Sequence, residues 1–177
     1  IQKPSFAALF IFTAAILYVY ATWLKQIAIV GNIVVALVLS FSILILGIFD
    51  LVPSTHEGNE IWEGNKVQMR RVFSILTDYA IFAFIINFLR ELVKDIEDVN
   101  GDYILKMKTL PILIGRIRSR KLASFLCVIP IALLFYIIIN FSIAYKITVL
   151  YLLLFTLVPL IYIALKLNGT KKKSELH

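Results

Sequence analysis

No aspartate or glutamate precedes Asp50, so any chemistry that needs carboxylates lies beyond that point. The chain has one cysteine, Cys127, set in an apolar run. That excludes an internal disulfide and reads as a small core hydrophobe. The two histidines, His56 and His177, stand alone, which argues against zinc. Patterns of the CxxC, HExxH, GxSxG and P-loop types are missing, as are internal repeats and heptad arrays. Charge itself is scarce: 16% of residues are charged and 60% hydrophobic, with a mean hydropathy of +0.90. That balance excludes an ordinary soluble domain. The net charge of +7 then fits membrane orientation better than nucleic acid, so no nucleic-acid partner is expected.

What remains is apolar and segmented. Runs at Ser5–Leu24, Asn32–Phe49, Val72–Leu89, Leu122–Ile139 and Ile147–Leu165 are each close to the roughly 20 residues that span a bilayer as a helix. The expectation is an all-α, polytopic transmembrane helix bundle of about five spans, forming a single membrane domain over residues 1–177. Pro130 and Pro159 fall inside apolar runs, where neighbouring helices can cover a kink. Polar connections lie at Asp50–Arg71, with Trp62 as an interfacial anchor, and at Arg90–Lys121.

Five spans alternate sides, and the basic residues then sort unevenly. Lys25, Lys94, Lys106, Lys108, Arg116, Arg118, Arg120, Lys121, Lys166, Lys171, Lys172 and Lys173 share one side. Lys3, Lys66, Arg70, Arg71 and Lys146 share the other, and Arg90 sits at the boundary. The positive-inside rule puts the richer side in the cytoplasm. The expected location is the cytoplasmic membrane of a prokaryote, with Lys25 and the polar centre on the cytoplasmic face.

The polar centre carries the strongest signal. Glu91, Asp95, Asp98 and Asp102 recur at i, i+4, i+7 and i+11. At about 100° per residue they share a face roughly 60° wide. Stacked like charges repel, and near a helix C-terminus they also oppose the dipole. A divalent cation relieves both terms, and carboxylate oxygens suit Mg²⁺. Arg90 and Lys94 just before, and Lys106 and Lys108 just after, complete a set able to hold a diphosphate. An isoprenyl diphosphate would place its tail among the spans. Asn100–Gly101 is expected to break the helix, and Thr109-Leu110-Pro111 to start a new element. The plainer reading is a solvated, mixed-charge loop. It does not explain why the acids gather on one face against the end of an apolar span.

Arg90-Glu91, Asp95-Ile96-Glu97-Asp98, Gly101-Asp102 and Thr109-Leu110-Pro111 with Gly115 resemble the second Asp-rich motif of the UbiA-type intramembrane prenyltransferase superfamily. Asp98 and Asp102 match its DxxxD core. The motif is most similar to the branch that makes digeranylgeranylglyceryl phosphate. Tyr20-Ala-Thr-Trp-Leu-Lys25, followed by Gly31-Asn32, resembles the family's Tyr…Lys segment.

The resemblance implies an enzyme that binds Mg²⁺ and an isoprenyl diphosphate, ionises the allylic C–O bond and passes the prenyl group to an acceptor. Asp98 and Asp102 would be the catalytic metal ligands, with Asp95 a further ligand or a partner of one. Lys25 would contact phosphate and Tyr20 the reacting centre, with Asn32 beside them. Arg90 and Lys94 would reach phosphate or anchor the membrane surface. The acceptor would be a lipid such as geranylgeranylglyceryl phosphate, or an aromatic quinone precursor such as 4-hydroxybenzoate.

The family's first motif, NDxxDxxxD, has no counterpart here, and the family runs to roughly nine spans. The expectation is therefore the C-terminal portion of such a fold, with little transferase activity by itself. Two other classes fit less well. A CDP-alcohol phosphatidyltransferase would need a DGxxAR pattern, which is missing. A membrane transporter or assembly module would carry polar groups at the midplane of several spans, where only Asp78 and a few hydroxyls qualify. Asp78 is either functional or a partner of Arg70 or Arg71. Asn87 either lines a cavity or bonds between helices.

Overall fold

The structure is a computed structural model that describes residues 4–51, 62–141 and 146–169. Its elements are α1 (Pro4–Thr22), α2 (Val30–Leu51), α3 (Trp62–Ile104), α4 (Leu110–Ile114), α5 (Arg116–Leu126), α6 (Val128–Phe141), α7 (Lys146–Leu152) and α8 (Val158–Gly169). Among the described residues there is no strand beyond one isolated parallel bridge, Ile27 to Lys108. The protein is an all-α, integral membrane protein. Four stretches are long and apolar enough to cross a bilayer: Val30–Phe49, Gln68–Ile104, Arg116–Ile139 and Val149–Gly169. The first expected span is the shorter apolar helix Ala7–Thr22.

The chain divides into two compact units. The first comprises residues 1–25 and 30–88, the second residues 26–29 and 89–177. In the first unit α1 packs on α2. Lipid tails are as apolar as leucine, so helix association inside a membrane rests on close packing by small residues. The buried face of α2 fits that rule: Asn32, Ala36, Ser40 and Gly47 are buried along it. A Cβ on Gly47 would overlap only the end of the Leu76 side chain of α3, which can shift to make room.

The second unit uses the same device. Ser119, Ala123 and Cys127 are buried along α5 and its C-terminal cap. α5 packs on α8, where Ser124 Oγ donates a 2.8 Å hydrogen bond to the Ala164 carbonyl. Both intramembrane prolines leave a local signature. A proline removes one helical N–H and crowds the carbonyl four residues earlier. α5 therefore stops at Leu126, four residues before Pro130, and α6 restarts at Val128. Before Pro159 the helix widens into a π turn, Leu153–Leu157.

Three boundaries differ from the sequence expectation, one of them the start of α5 at Arg116 rather than at Leu122. Residues 62–71, expected as a polar connection, belong to α3, although the Trp62 side chain lies outside what is described. Asn100–Gly101 does not break the helix either: α3 runs through both to Ile104. One glycine costs a helix interior only about 1 kcal/mol, which the flanking turns of a 43-residue helix absorb.

The actual stop is a Schellman motif. Met107 N–H donates to the Asp102 carbonyl at 2.9 Å, and Lys106 N–H to the Tyr103 carbonyl at 3.1 Å. Lys106 takes the left-handed conformation this motif requires, with φ 56°. A lysine there is strained by roughly 1–2 kcal/mol relative to glycine. Lys106→Gly is thus expected to raise the thermal unfolding midpoint, by a gain of about 1 kcal/mol.

Candidate functional site

The acid stripe lies wholly in the second unit, on the last turns of α3. Leu89, Leu92 and Ile96 are buried; they sit about 120° round the helix from the acids and seat that face in the unit. The four carboxylates then divide by environment. Glu91 is buried and makes long ion pairs with Arg90 (3.8 Å) and Lys94 (3.9 Å). It already has counterions within the protein. Asp95 is half-buried and engaged in an interaction of its own. Asp98 is exposed. Asp102 is half-buried, and its Oδ2 is buried without any hydrogen-bond donor.

Asp98 and Asp102 are one helical turn apart on the same face, about 6 Å along the axis. The whole stripe, from Glu91 to Asp102, stretches over about 16 Å. That span is why no three metal-binding side chains converge among the described residues. A cation here would rest on Asp98 and Asp102, within reach of Asp95, and take its remaining oxygens from a ligand or water. The orphaned Oδ2 fits that use. A buried carboxylate oxygen with no donor is costly and is accommodated when a cation completes it.

Arg90 and Lys94 are both bound to Glu91, yet their side chains stay mostly exposed, at 69% and 54%. Exposed pairs of this length hold the side chains only loosely, so both heads can turn to another anion. Asp78 is exposed and pairs with neither Arg70 nor Arg71 among the described residues. Asn87 bonds neither a cavity group nor a neighbouring helix through its amide nitrogen. Its Nδ2 donates to Ala83 O on its own helix at 2.8 Å.

After α3 the chain builds a compact turn in the second unit. Lys108 N–H donates to the Gln26 carbonyl at 3.0 Å, tying residues 26–29 to this turn. Thr109 caps α4 through its carbonyl, which accepts from Ile112 and Leu113, and Pro111 stands in the first turn. The new element expected at Thr109-Leu110-Pro111 is therefore present. Gly115 separates α4 from α5 at φ 85°, ψ 149°, a backbone region open essentially to glycine alone. That accounts physically for the glycine at the end of the TLPxxxG pattern.

The remaining residues expected at the site belong to the first unit. Tyr20 is half-buried near the end of α1, Lys25 is exposed in a 3₁₀ turn (Leu24–Gln26), and Asn32 is buried in the first turn of α2. Tyr20 and Asn32 each have an interaction partner. Gly31 fixes how α2 leaves this turn. A Cβ there would lie 2.8 Å from the Leu24 carbonyl oxygen and 3.3 Å from Lys25 Cα, both rigid backbone. Gly31→Ala is expected to destabilise the protein by about 1–3 kcal/mol, read as a lower thermal midpoint.

Three further side chains carry the same anomaly as Asp102: Thr109, expected only as the start of a new element, and two arginines that the sequence does not mark as site residues. Thr109 Oγ1, Arg116 Nη2 and Arg120 Nε are buried and have no hydrogen-bond partner. With Asp102 Oδ2 they form the whole set of such atoms among the described residues, all within nineteen positions of one another and all in the second unit. In the sequence the arginines count only as orienting charge. The available signal was their i, i+4 spacing, on the stripe that also carries Ser119, Ala123 and Cys127.

Comparison with known proteins gives one consistent answer. The sequence model of the UbiA prenyltransferase family matches residues 1–176. Digeranylgeranylglyceryl phosphate synthase of Methanobrevibacter smithii is 36% identical over 141 residues, covering 78% of this chain and 44% of the relative. The synthases of the same name from Thermococcus kodakarensis and Pyrococcus abyssi are 31% and 32% identical over 115 and 117 residues. These alignments cover 65% and 66% of this chain, and 34% and 35% of the relatives. The chain thus spans less than half the length of the curated relatives it matches. No solved structure matches it.

Proposed function

Because the chain belongs to the UbiA prenyltransferase family, we propose that it takes part in the Mg²⁺-dependent transfer of an isoprenyl group from its diphosphate to a phosphorylated glycerol lipid at the cytoplasmic membrane face. The observation that carries this reading is Asp102 Oδ2, a buried carboxylate oxygen without a donor, one turn from exposed Asp98. Mg²⁺, when bound, neutralises charge that develops on the departing diphosphate. Asp98 and Asp102 would hold it, with Asp95 as ligand or orienting partner. Arg90, Lys94 and Lys25 contact diphosphate oxygens. Tyr20 and Asn32 supply hydrogen bonds near the reacting carbon.

The allylic C–O bond breaks and its electron pair leaves with the diphosphate. The acceptor hydroxyl oxygen forms the new C–O bond and passes its proton to the departing diphosphate. The acceptor class comes from the named relatives, all of them digeranylgeranylglyceryl phosphate synthases. The distribution of basic residues supports the cytoplasmic face, and a prokaryotic cytoplasmic membrane is the proposed location.

The test is a product assay. Full-length protein in bilayers receives labelled geranylgeranyl diphosphate, Mg²⁺ and either geranylgeranylglyceryl phosphate or 4-hydroxybenzoate. A diether phosphate product is expected. Prenylated 4-hydroxybenzoate instead would replace the lipid acceptor by an aromatic one, and no product with either would refute the reading.

A further inference from the structure

We propose that Arg116 and Arg120 form an anion site at the start of α5 that takes a phosphate monoester, the head group of the acceptor lipid. The inference rests on the reading above that the acceptor is a phosphorylated glycerol lipid.

Arg116 and Arg120 are one turn apart on the same face of α5. Helical side chains lean toward the N-terminus, so Arg120 lies back over the first turn, toward Arg116. Arg120 is 7% exposed and its Nε has no partner; Arg116 is half-buried and its Nη2 has none. A guanidinium never loses its charge in a protein, so deprotonation cannot relieve this burial. It calls for an anion.

The bland alternatives fit poorly. A membrane-surface anchor keeps its head exposed, as Arg118 and Lys121 of the same helix do. The C-terminal carbonyls of α8, which packs on α5, leave Arg120 Nε unbonded. The carboxylates of the same unit make no ion pair with either arginine among the described residues.

The backbone adds to the site. The first N–H groups of α5 have no side-chain cap, because Gly115 occupies the capping position. They and the helix dipole favour an anion at the same end. The forked guanidinium geometry suits phosphate oxygens. A monoester differs from the prenyl diphosphate in needing no metal, which separates this site from the Asp98–Asp102 pair.

The experiment uses the whole chain in phosphatidylcholine nanodiscs. Three probes are titrated: an alkylglycerol phosphate, the corresponding alkylglycerol without phosphate, and a non-hydrolysable isoprenyl diphosphate analogue with Mg²⁺. Arg120→Met is expected to weaken the alkylglycerol phosphate about tenfold to a hundredfold, as loss of a charged hydrogen bond does. EDTA should leave that binding intact, and the alcohol should bind wild type and variant alike.

No binding of the alkylglycerol phosphate, or binding indifferent to Arg120→Met, would overturn the proposal. So would loss of the diphosphate analogue instead, which assigns the arginine to the donor. Competition by phosphatidylglycerol as strong as by the monoester would also overturn it, in favour of a bilayer head-group contact. If Arg120→Met lowers the thermal midpoint too far to be measured, Arg116→Met, at the half-buried position, decides by the same outcomes. Asp98→Ala and Asp102→Ala serve as the independent arm. If they leave diphosphate binding unchanged, the donor reading fails while the monoester result still stands or falls by itself.

Discussion

Replacing Asp102 by alanine is expected to weaken Mg²⁺-dependent binding of an isoprenyl diphosphate by at least about 100-fold. The magnitude follows from the chemistry of a buried charge cluster: removing one partner of a desolvated ionic contact costs roughly 3–5 kcal/mol, and 1.4 kcal/mol is a factor of ten. Asp102 Oδ2 is buried without a donor, so the side chain adds nothing to the unit's hydrogen bonding through that atom. Its loss should therefore fall on binding rather than on folding. Asp98→Ala should follow the same pattern, with a thermal midpoint closer still to wild type because Asp98 is exposed. Glu97 supplies the internal control. It precedes Asp98 but lies about 100° round the helix, off the stripe. Glu97→Ala should change diphosphate binding by no more than about 0.5 kcal/mol. Isothermal titration across the three variants separates a stripe effect from general loss of acidic charge.

Gly101 gives the second large effect, and it has two signs. The residue lies inside α3, and a Cβ there would meet nothing within 4 Å. Gly101→Ala should therefore stabilise the protein by about 0.5–1 kcal/mol, since alanine loses less backbone freedom on helix formation. Diphosphate binding should be unchanged. Gly101→Pro removes the helical N–H between Asp98 and Asp102 and crowds the Glu97 carbonyl, at a cost of about 3 kcal/mol or more. It would also turn the two carboxylates off their shared face, so binding should fall as far as in Asp102→Ala. A helix broken at a left-handed Gly101 would reverse the first result: alanine, strained at positive φ, would lower the thermal midpoint. Thermal unfolding in detergent with the binding titration distinguishes the two.

That pair of substitutions also marks where sequence reasoning stopped. The helical character, the apolar segments and the acid stripe were legible because periodicity and length carry them. The end of α3 was not. Asn100–Gly101 looks like a stop, whereas the chain turns at Lys106, a residue with no left-handed preference, held there by the Met107 and Lys106 amide bonds to Asp102 and Tyr103. Capping geometry decides such boundaries, and a lysine does not advertise it. The start of α3 was misplaced for a related reason. Residues 62–71 are polar enough to look like a loop but continue the helix beyond the apolar span.

The stripe itself needed packing to be read fully. Spacing makes Glu91, Asp95, Asp98 and Asp102 equivalent. Burial makes Glu91 a paired residue with its own counterions and leaves Asp102 with an unmet oxygen. Likewise Arg116, Arg118, Arg120 and Lys121 are equal in a charge count. Only the structure separates buried Arg120 and half-buried Arg116, each with an unpartnered nitrogen, from the exposed pair. The glycine of the TLPxxxG pattern was recognisable by resemblance, and its backbone angles supply the reason for it.

In the proposed function a divalent cation on Asp98 and Asp102 binds the isoprenyl diphosphate. Titrating a non-hydrolysable isoprenyl diphosphate into the protein with and without Mg²⁺, for wild type and for the Asp98→Ala, Asp102→Ala double variant, tests it most directly. Tight binding is expected only for wild type with Mg²⁺, and equally weak binding in the other three conditions. Mg²⁺-stimulated binding that survives in the double variant would contradict it.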